Sequence, residues 1–228
     1  MNTVIVVAGG SGTRMDAPMK KQYLLLDGVP ILRRTIDAFV FNNSIDRVCL
    51  VVPEEDILFC NENILKKYST KKKITVTAGG VERQQSAYNG LTYYNDHCDD
   101  DIILIHDGVR PLIDQRDIDA CVKGAEKYGS AIIGIPAFDT IKKINSDANV
   151  ENTLERETIW MAQTPQAFKY KILIKAYNNA LEKKISGTDD SSLVELIGEK
   201  VKIIEGRRSN IKITTKEDMA IAETLIKY

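Results

Sequence analysis

Histidine and paired cysteine are nearly missing from this chain. It has two histidines in 228 residues, and its four cysteines (Cys49, Cys60, Cys98 and Cys121) are scattered with no CxxC pair. That composition argues against a Cys/His zinc centre and a disulfide framework, and leaves reduced structural thiols in a cytoplasmic protein as the simplest reading. A surplus of one charge is also missing. The 31 basic and 32 acidic side chains leave a net charge of −1, so no global field draws nucleic acid, and an anionic ligand must be met by locally placed Lys and Arg. No apolar run approaches the ~20 residues that cross a bilayer. The N-terminus enters a strand directly, without a basic region and long apolar core. Neither a membrane nor nucleic acid is expected as a partner.

Several motifs are absent as well. There is no GxxxxGK[ST] phosphate loop, no GxSxG elbow and no serine–histidine pairing of a hydrolase. Gly10-Ser11-Gly12 opens like a dinucleotide fingerprint, but the third glycine is replaced by Met15. The acid about 20 residues on is Asp27, in a turn before Pro30.

What is present is a strand that runs into a glycine turn. Val4-Ile5-Val6-Val7 is apolar and β-branched, and Ala8-Gly9-Gly10-Ser11-Gly12-Thr13-Arg14 follows at once. Glycines there let the backbone turn sharply and face an anion with its N–H groups. Further apolar strands are predicted at 48–52, 74–77, 102–105, 131–135 and 201–205, with another at 210–214. Helices are predicted over 31–40, 54–68, 86–94, 115–128, 170–183, 190–197 and 215–226. Strands apolar throughout and alternating with helices indicate an α/β fold, Rossmann-like, with a mostly parallel sheet covered on both faces. With 43% apolar residues, residues 1–228 read as one domain. Residues 138–160 differ, being short, polar and alternating, and read as a protruding two-stranded β-arm. An isolated hairpin is marginal in water, so the arm either folds back on its own domain or meets a partner; a homodimer contact is the expectation.

Ligands of open α/β sheets sit beyond the carboxyl ends of the strands, which selects four places. The opening turn with Arg14 and Lys21 suits a triphosphate, unless these are simply solvated bases. Gly79-Gly80-Val81-Glu82-Arg83-Gln84-Gln85-Ser86 offers a close backbone approach to a flat ring, with Ser86 either bonding a base edge or capping a helix. His106-Asp107-Gly108-Val109-Arg110-Pro111 offers a carboxylate for Mg²⁺ and an arginine for a second phosphate, or a buried Asp107–Arg110 ion pair. His106 reads as structural. In Asn210-Ile211-Lys212, alternation puts an amide and an ammonium on one face, for metal and phosphate together or as an ordinary amphipathic strand.

These motifs resemble the nucleotidyltransferases that activate sugar or polyol phosphates, and more narrowly the 2-C-methyl-D-erythritol 4-phosphate cytidylyltransferase family. The likeness rests on residues 8–15 with Lys21-Gln22-Tyr23-Leu24, Gly79-Gly80-x-Glu82-Arg83-x-x-Ser86, and His106-Asp107-x-x-Arg110-Pro111. It continues through Asp139-Thr140-Ile141-Lys142, Ala162-Gln163-Thr164-Pro165-Gln166, Thr188-Asp189-Asp190-x-Ser192 and Glu205-Gly206-x-x-x-Asn210-Ile211-Lys212. The resemblance implies transfer of CMP from CTP to methylerythritol phosphate with Mg²⁺, releasing pyrophosphate in non-mevalonate isoprenoid synthesis. It implies that Ala8, Gly9, Gly10, Ser11 and Gly12 hold the triphosphate, with Arg14 and Lys21 offsetting charge on the α-phosphate. Gly79, Gly80 and Ser86 would read cytosine, Asp107 would bind Mg²⁺, and Lys212 would stabilise the attacked phosphate. Arg110, Thr140, Thr188 and Arg156 would bind the acceptor, Arg156 coming from the other subunit's arm. By looser analogy Asn210 would neighbour the metal.

Two departures bear on the reading. Family members usually read Pro-Lys-Gln-Tyr, whereas here Pro18-Met19-Lys20-Lys21 leaves either Lys20 or Lys21 to meet the triphosphate. Gly9-Gly10 and Gly108-Val109 lean toward the related ribitol-5-phosphate cytidylyltransferases, while Thr188 to Glu195 and Glu205-Gly206-Arg207 look like the methylerythritol enzymes, which are favoured. A non-catalytic nucleotide-binding module would lack Asp107 or a phosphate-binding base, and none is missing.

Overall fold

The structure is a computed structural model that describes residues 1–10, 19–66, 68 and 70–227. The expected strand β1 (Asn2–Val7) is buried over nearly its whole length. After a 3₁₀ turn at Lys21–Tyr23, the hairpin β2 (Leu25–Leu26) and β3 (Val29–Pro30) turns through Asp27 and Gly28, both at positive φ. Helix α1 (Ile31–Val40) starts directly after Pro30, and β4 (Arg47–Val52) is wholly buried. The single helix predicted over 54–68 is instead a 3₁₀ turn (Glu54–Asp56), the short α2 (Ile57–Phe59) and a π turn (Cys60–Ile64). Ile64 is buried as expected, and the widened turn brings Cys60 into the core as well.

Strand β5 (Lys73–Ala78), helix α3 (Arg83–Thr92) and strand β6 (Ile102–Asp107) follow as expected. Helix α4 (Gln115–Tyr128) is capped by the Asp114 carboxylate, which accepts from the Arg116 N–H, and ends at Gly129 with φ 87°. Strand β7 (Ser130–Pro136) leads to the arm, in which β8 (Lys142–Ile144) and β9 (Val150–Thr153) pair antiparallel and are exposed throughout. Next come β10 (Trp160–Lys169), α5 (Tyr170–Lys183) and α6 (Asp190–Leu196), then β11 (Lys202–Glu205) and α7 (Lys216–Leu225). Reciprocal capping boxes of Asp189 with Ser192 and of Thr215 with Asp218 start α6 and α7.

The sheet order is β11-β7-β10-β6-β1-β4-β5. All neighbours are parallel except β10, which runs antiparallel to both β6 and β7. Alternate residues of β1 feed two cores. Val4 and Val6 pack with Phe39 of α1 and Ile118 of α4, while Ile5 packs with Leu91 of α3 and Leu173 of α5. Helices therefore cover both faces, as expected.

Two sequence expectations fail. Strand β10 was not predicted as such, because Gln163, Thr164, Pro165 and Gln166 are poor residues for a central strand. The ladder accommodates them through a register shift between Ala162 and Gln166. Conversely, residues 210–214 form no strand; the segment is tied to the loop after β6 by the bond from the Ile213 N–H to the Val109 carbonyl, at 2.9 Å.

Candidate active site

The strand register sets the site. Val7 of β1 lies beside Asp107 of β6 and Val51 of β4, and Val52 lies beside Ala78 of β5, so the chain leaves all four strands along one rim. There the Ala8–Gly10 backbone, the Gly80–Arg83 loop, Lys21, Asp107 and Lys212 line a cleft of about 420 Å³. A second cleft of about 280 Å³ holds Arg110, Gln163, Thr164 and Thr188, and it shares Arg83, Asp107 and Lys212 with the first. The two clefts thus meet at one carboxylate and two cations.

On the first cleft's wall, Gln22 donates from Nε2 to the Ala8 carbonyl at 2.9 Å and fixes the exit of β1. Lys21, the next residue back, lines the cleft. Lys20 is engaged elsewhere, its Nζ lying 2.8 Å from both Glu55 and Asp56. Ser11, Gly12 and Arg14 lie outside the described residues. Across the cleft, Ser86 Oγ accepts from the Gly80 N–H at 3.0 Å and donates to the Glu82 carbonyl at 3.0 Å. The hydroxyl holds the glycine turn and keeps capacity to accept one more bond. A Cβ on Gly79 would stand 2.7 Å from that Oγ, so glycine is required there by the close approach. Gly79 lies behind the wall that Gly80 presents.

At the junction, Asp107 is buried and holds three cations. Arg83 Nε lies 3.1 Å from Oδ1, Lys212 Nζ 2.9 Å from Oδ2 and Arg110 Nε 3.6 Å from Oδ2. Burial alone would raise the carboxyl's pKa, but Arg83, Lys212 and Arg110 outweigh it and hold the group well below the usual carboxylate range. Arg110 donates from Nη1 to the Asn210 carbonyl at 2.7 Å, while its buried Nε has no hydrogen-bond partner among the described residues. Burial lowers the Arg110 pKa, and Asp107 partly offsets this. An unsatisfied, buried guanidinium N–H beside an open cleft suits an incoming anion.

His106 stands behind this carboxylate as a structural group. Thr164 Oγ1 accepts from the Asp107 N–H at 3.1 Å, so its own proton goes to His106 Nδ1 at 3.0 Å, and His106 Nε2–H faces the Arg110 carbonyl at 3.1 Å. That chain needs a neutral ring. Burial pushes the imidazole pKa down to about 4, against the raising effect of the Arg110 carbonyl bond.

The remaining expected residues are spread more widely. Asn210 is fully buried and lines neither cleft; its Nδ2 donates to the Thr164 carbonyl at 2.9 Å and to Gln163 at 3.2 Å, and its Oδ1 has no partner among the described residues. Thr140 and Arg156 are exposed near the arm, and Arg156 donates to the Phe138 carbonyl at 3.3 Å. Neither lines either of these two clefts. Sequence reasoning quoted Arg83, Gln163, Thr164 and Asp190 inside motifs without giving them roles. The signal available was that Glu82-Arg83 follows the paired glycines and Asp190 follows Thr188, both next to expected ligand segments.

Among the described residues, no group of three or more His, Cys, Asp or Glu is arranged to hold a metal. These side chains alone therefore do not complete a metal site. One ionised carboxylate in a phosphate-sized cleft does fit a Mg²⁺ ion that takes most of its ligands from phosphate and water.

Comparison with known proteins identifies the family. The sequence model of the 2-C-methyl-D-erythritol 4-phosphate cytidylyltransferase family matches residues 2–228. Proteins of that name from Syntrophus aciditrophicus and Clostridioides difficile are 44% and 45% identical to the chain. They align over 98% and 99% of it, and over 94% of their own length in both cases. The crystal structure of 4-diphosphocytidyl-2C-methyl-D-erythritol synthase from Anaerococcus prevotii superposes with a TM-score of 0.88 at 32% identity, covering 100% of this chain and 96% of that one. The Francisella tularensis cytidylyltransferase gives a TM-score of 0.80 at 32% identity, covering 98% of each chain.

Proposed function

The chain belongs to the 2-C-methyl-D-erythritol 4-phosphate cytidylyltransferase family and transfers CMP from CTP to 2-C-methyl-D-erythritol 4-phosphate in isoprenoid synthesis, and we propose that it does so at the junction of the two clefts, as a Mg²⁺-dependent homodimer of the cytoplasm. Ribitol-5-phosphate transfer is not favoured, since the relatives share the methylerythritol name across nearly the whole chain.

In this reading CTP occupies the larger cleft, with its triphosphate on residues 8–14 and Lys21 and its base against Gly80 and Ser86. The acceptor's phosphate enters the smaller cleft toward Arg110 and Thr188. A phosphomonoester is already largely ionised at neutral pH, so its oxygen attacks the α-phosphorus without a general base. A bond forms from that oxygen to phosphorus, and the bond to the β-phosphate's bridging oxygen breaks. The electron pair leaves with pyrophosphate. Arg14, Lys21 and Lys212 offset charge on the α-phosphate and the leaving group, so catalysis is positioning plus electrostatics. Asp107 would hold the Mg²⁺, which when bound would supply further positive charge to the phosphate oxygens. The observation that carries this reading is Asp107, shared by both clefts and gathering Arg83, Lys212 and Arg110.

The dimer reading is supported by Arg156, the expected acceptor-binding arginine, which lines neither of the two clefts. Arg156 follows an arm whose Ile144 and Val150 are 55% and 60% exposed, apolar surface that a second subunit would cover. Mixing inactive Arg156→Ala and Lys212→Ala proteins tests it. With arms exchanged, half of the dimers are mixed and each has one intact site of two, so activity returns to about a quarter of wild type. With Arg156 acting on its own chain, mixing restores nothing.

A further inference from the structure

We propose that Arg83 is a positioning residue for the transfer, and that Tyr177 and Asp190 hold it from behind. The proposal rests on the two-cleft reading above. Arg83 Nε lies 3.1 Å from Asp107 Oδ1, and its Nη2 lies 2.8 Å from Asp190 Oδ2. Asp190 is buried, and its other oxygen accepts from the Tyr177 hydroxyl at 2.5 Å. Tyr177 is itself buried in the core under α3, α5 and α6. A continuous line, Tyr177–Asp190–Arg83–Asp107, therefore runs from the hydrophobic core to the junction of the clefts.

The residues of this line stand at three structural joints. Arg83 is the first residue of α3, directly after the glycine turn of the nucleotide cleft. Asp190 is the first residue of α6, two positions after Thr188 in the acceptor cleft. Asp107 ends β6. One guanidinium thus ties the nucleotide wall, the acceptor wall and the shared carboxylate together, and its planar fork engages two carboxylates at once. A lysine ammonium is a single point charge and cannot span both in that geometry. The two substrates react across the line between those walls, and small misplacements of reacting atoms cost rate far more than they cost binding.

The test is steady-state pyrophosphate release from CTP and methylerythritol phosphate by the full-length wild type, Arg83→Lys and Tyr177→Phe, each substrate varied in turn, with melting curves alongside. Arg83→Lys is expected to lower kcat by roughly 100-fold while the CTP KM moves by less than about threefold. Tyr177→Phe, which strips one buried bond from Asp190, is expected to lower kcat by roughly tenfold with the same unchanged CTP KM. A purely structural role would lower the melting temperature and leave kcat per folded site alone. Wild-type kcat in Arg83→Lys, or a CTP KM rising in step with the loss of kcat, overturns the proposal. If Arg83→Lys does not fold, Tyr177→Phe decides by the same criteria. Wild-type protein that releases no pyrophosphate overturns the functional reading instead.

Discussion

Replacing Asp107 by asparagine keeps the shape of the side chain and removes the charge that gathers the junction. Its backbone stays fixed by Thr164, so the loss is electrostatic. Arg83, Lys212 and Arg110, at 3.1, 2.9 and 3.6 Å from the carboxylate, would then face one another without their shared counter-ion. Removing one partner of a buried ion pair costs about 3–5 kcal/mol. The Lys212 side chain is 40% exposed, so its share is screened by water, and about 3 kcal/mol is the better expectation. For a chain of this size that is a fall of roughly 6–12 °C in melting temperature. The same reasoning gives a second, opposite effect. Pyrophosphate or CTP brings back the negative charge, so either ligand should raise the melting temperature of Asp107→Asn by more than that of the wild type, while turnover falls by roughly 10³-fold. Thermal melts with and without pyrophosphate, in the absence of metal, read both effects. A melting temperature within about 2 °C of wild type, or an equal ligand-induced shift in both proteins, would refute the idea that the Asp107 charge holds Arg83, Lys212 and Arg110 together.

Two further perturbations separate neighbouring roles. Lys21→Ala should reduce kcat/KM for CTP by roughly 100-fold. Lys20→Ala, which removes a pair with exposed Glu55 and another with largely buried Asp56, should change kcat/KM by less than about threefold; the reverse ranking would place Lys20 at the triphosphate. His106 makes the fold sensitive to mild acid. Its imidazole is held neutral down to about pH 4 in the folded chain, against an ordinary value of 6.5. The unfolded chain therefore binds the extra proton between those values, and stability falls as pH drops from 6.5 toward 4, by about 3 kcal/mol in all. Denaturant melts at pH 7 and 5 should show this slope in the wild type and a flatter one in His106→Asn; equal slopes would contradict it.

Much of this was legible in the sequence because function clusters where strands end. The run Val4–Val7 into glycines, the Gly79-Gly80 turn and His106-Asp107 after a buried strand each announce a rim position, and the parallel register brings those rims together. Strand β10 was illegible for a physical reason. Its residues at the bulge are polar because they serve the site, so Gln163 and Thr164 satisfy Arg207, Asn210 and His106 at the expense of the alternating pattern that marks a strand. The Arg83–Asp190 pair spans 107 positions, and no local periodicity encodes a contact at that range. Lys20 and Lys21 are indistinguishable by composition; in the fold Lys20 pairs with Glu55 and Asp56, and Lys21 lines the larger cleft. Asn210 looked like a ligand because alternation put it beside Lys212, but the segment is not a strand and turns the amide inward.

The most direct measurement is pyrophosphate release from CTP by the purified chain, compared between methylerythritol phosphate and ribitol 5-phosphate, each with Mg²⁺ and with a chelator. The account predicts release with methylerythritol phosphate and Mg²⁺, little with ribitol phosphate, and none when the metal is removed. Release that is faster with ribitol phosphate, or that continues undiminished in the chelator, would contradict it.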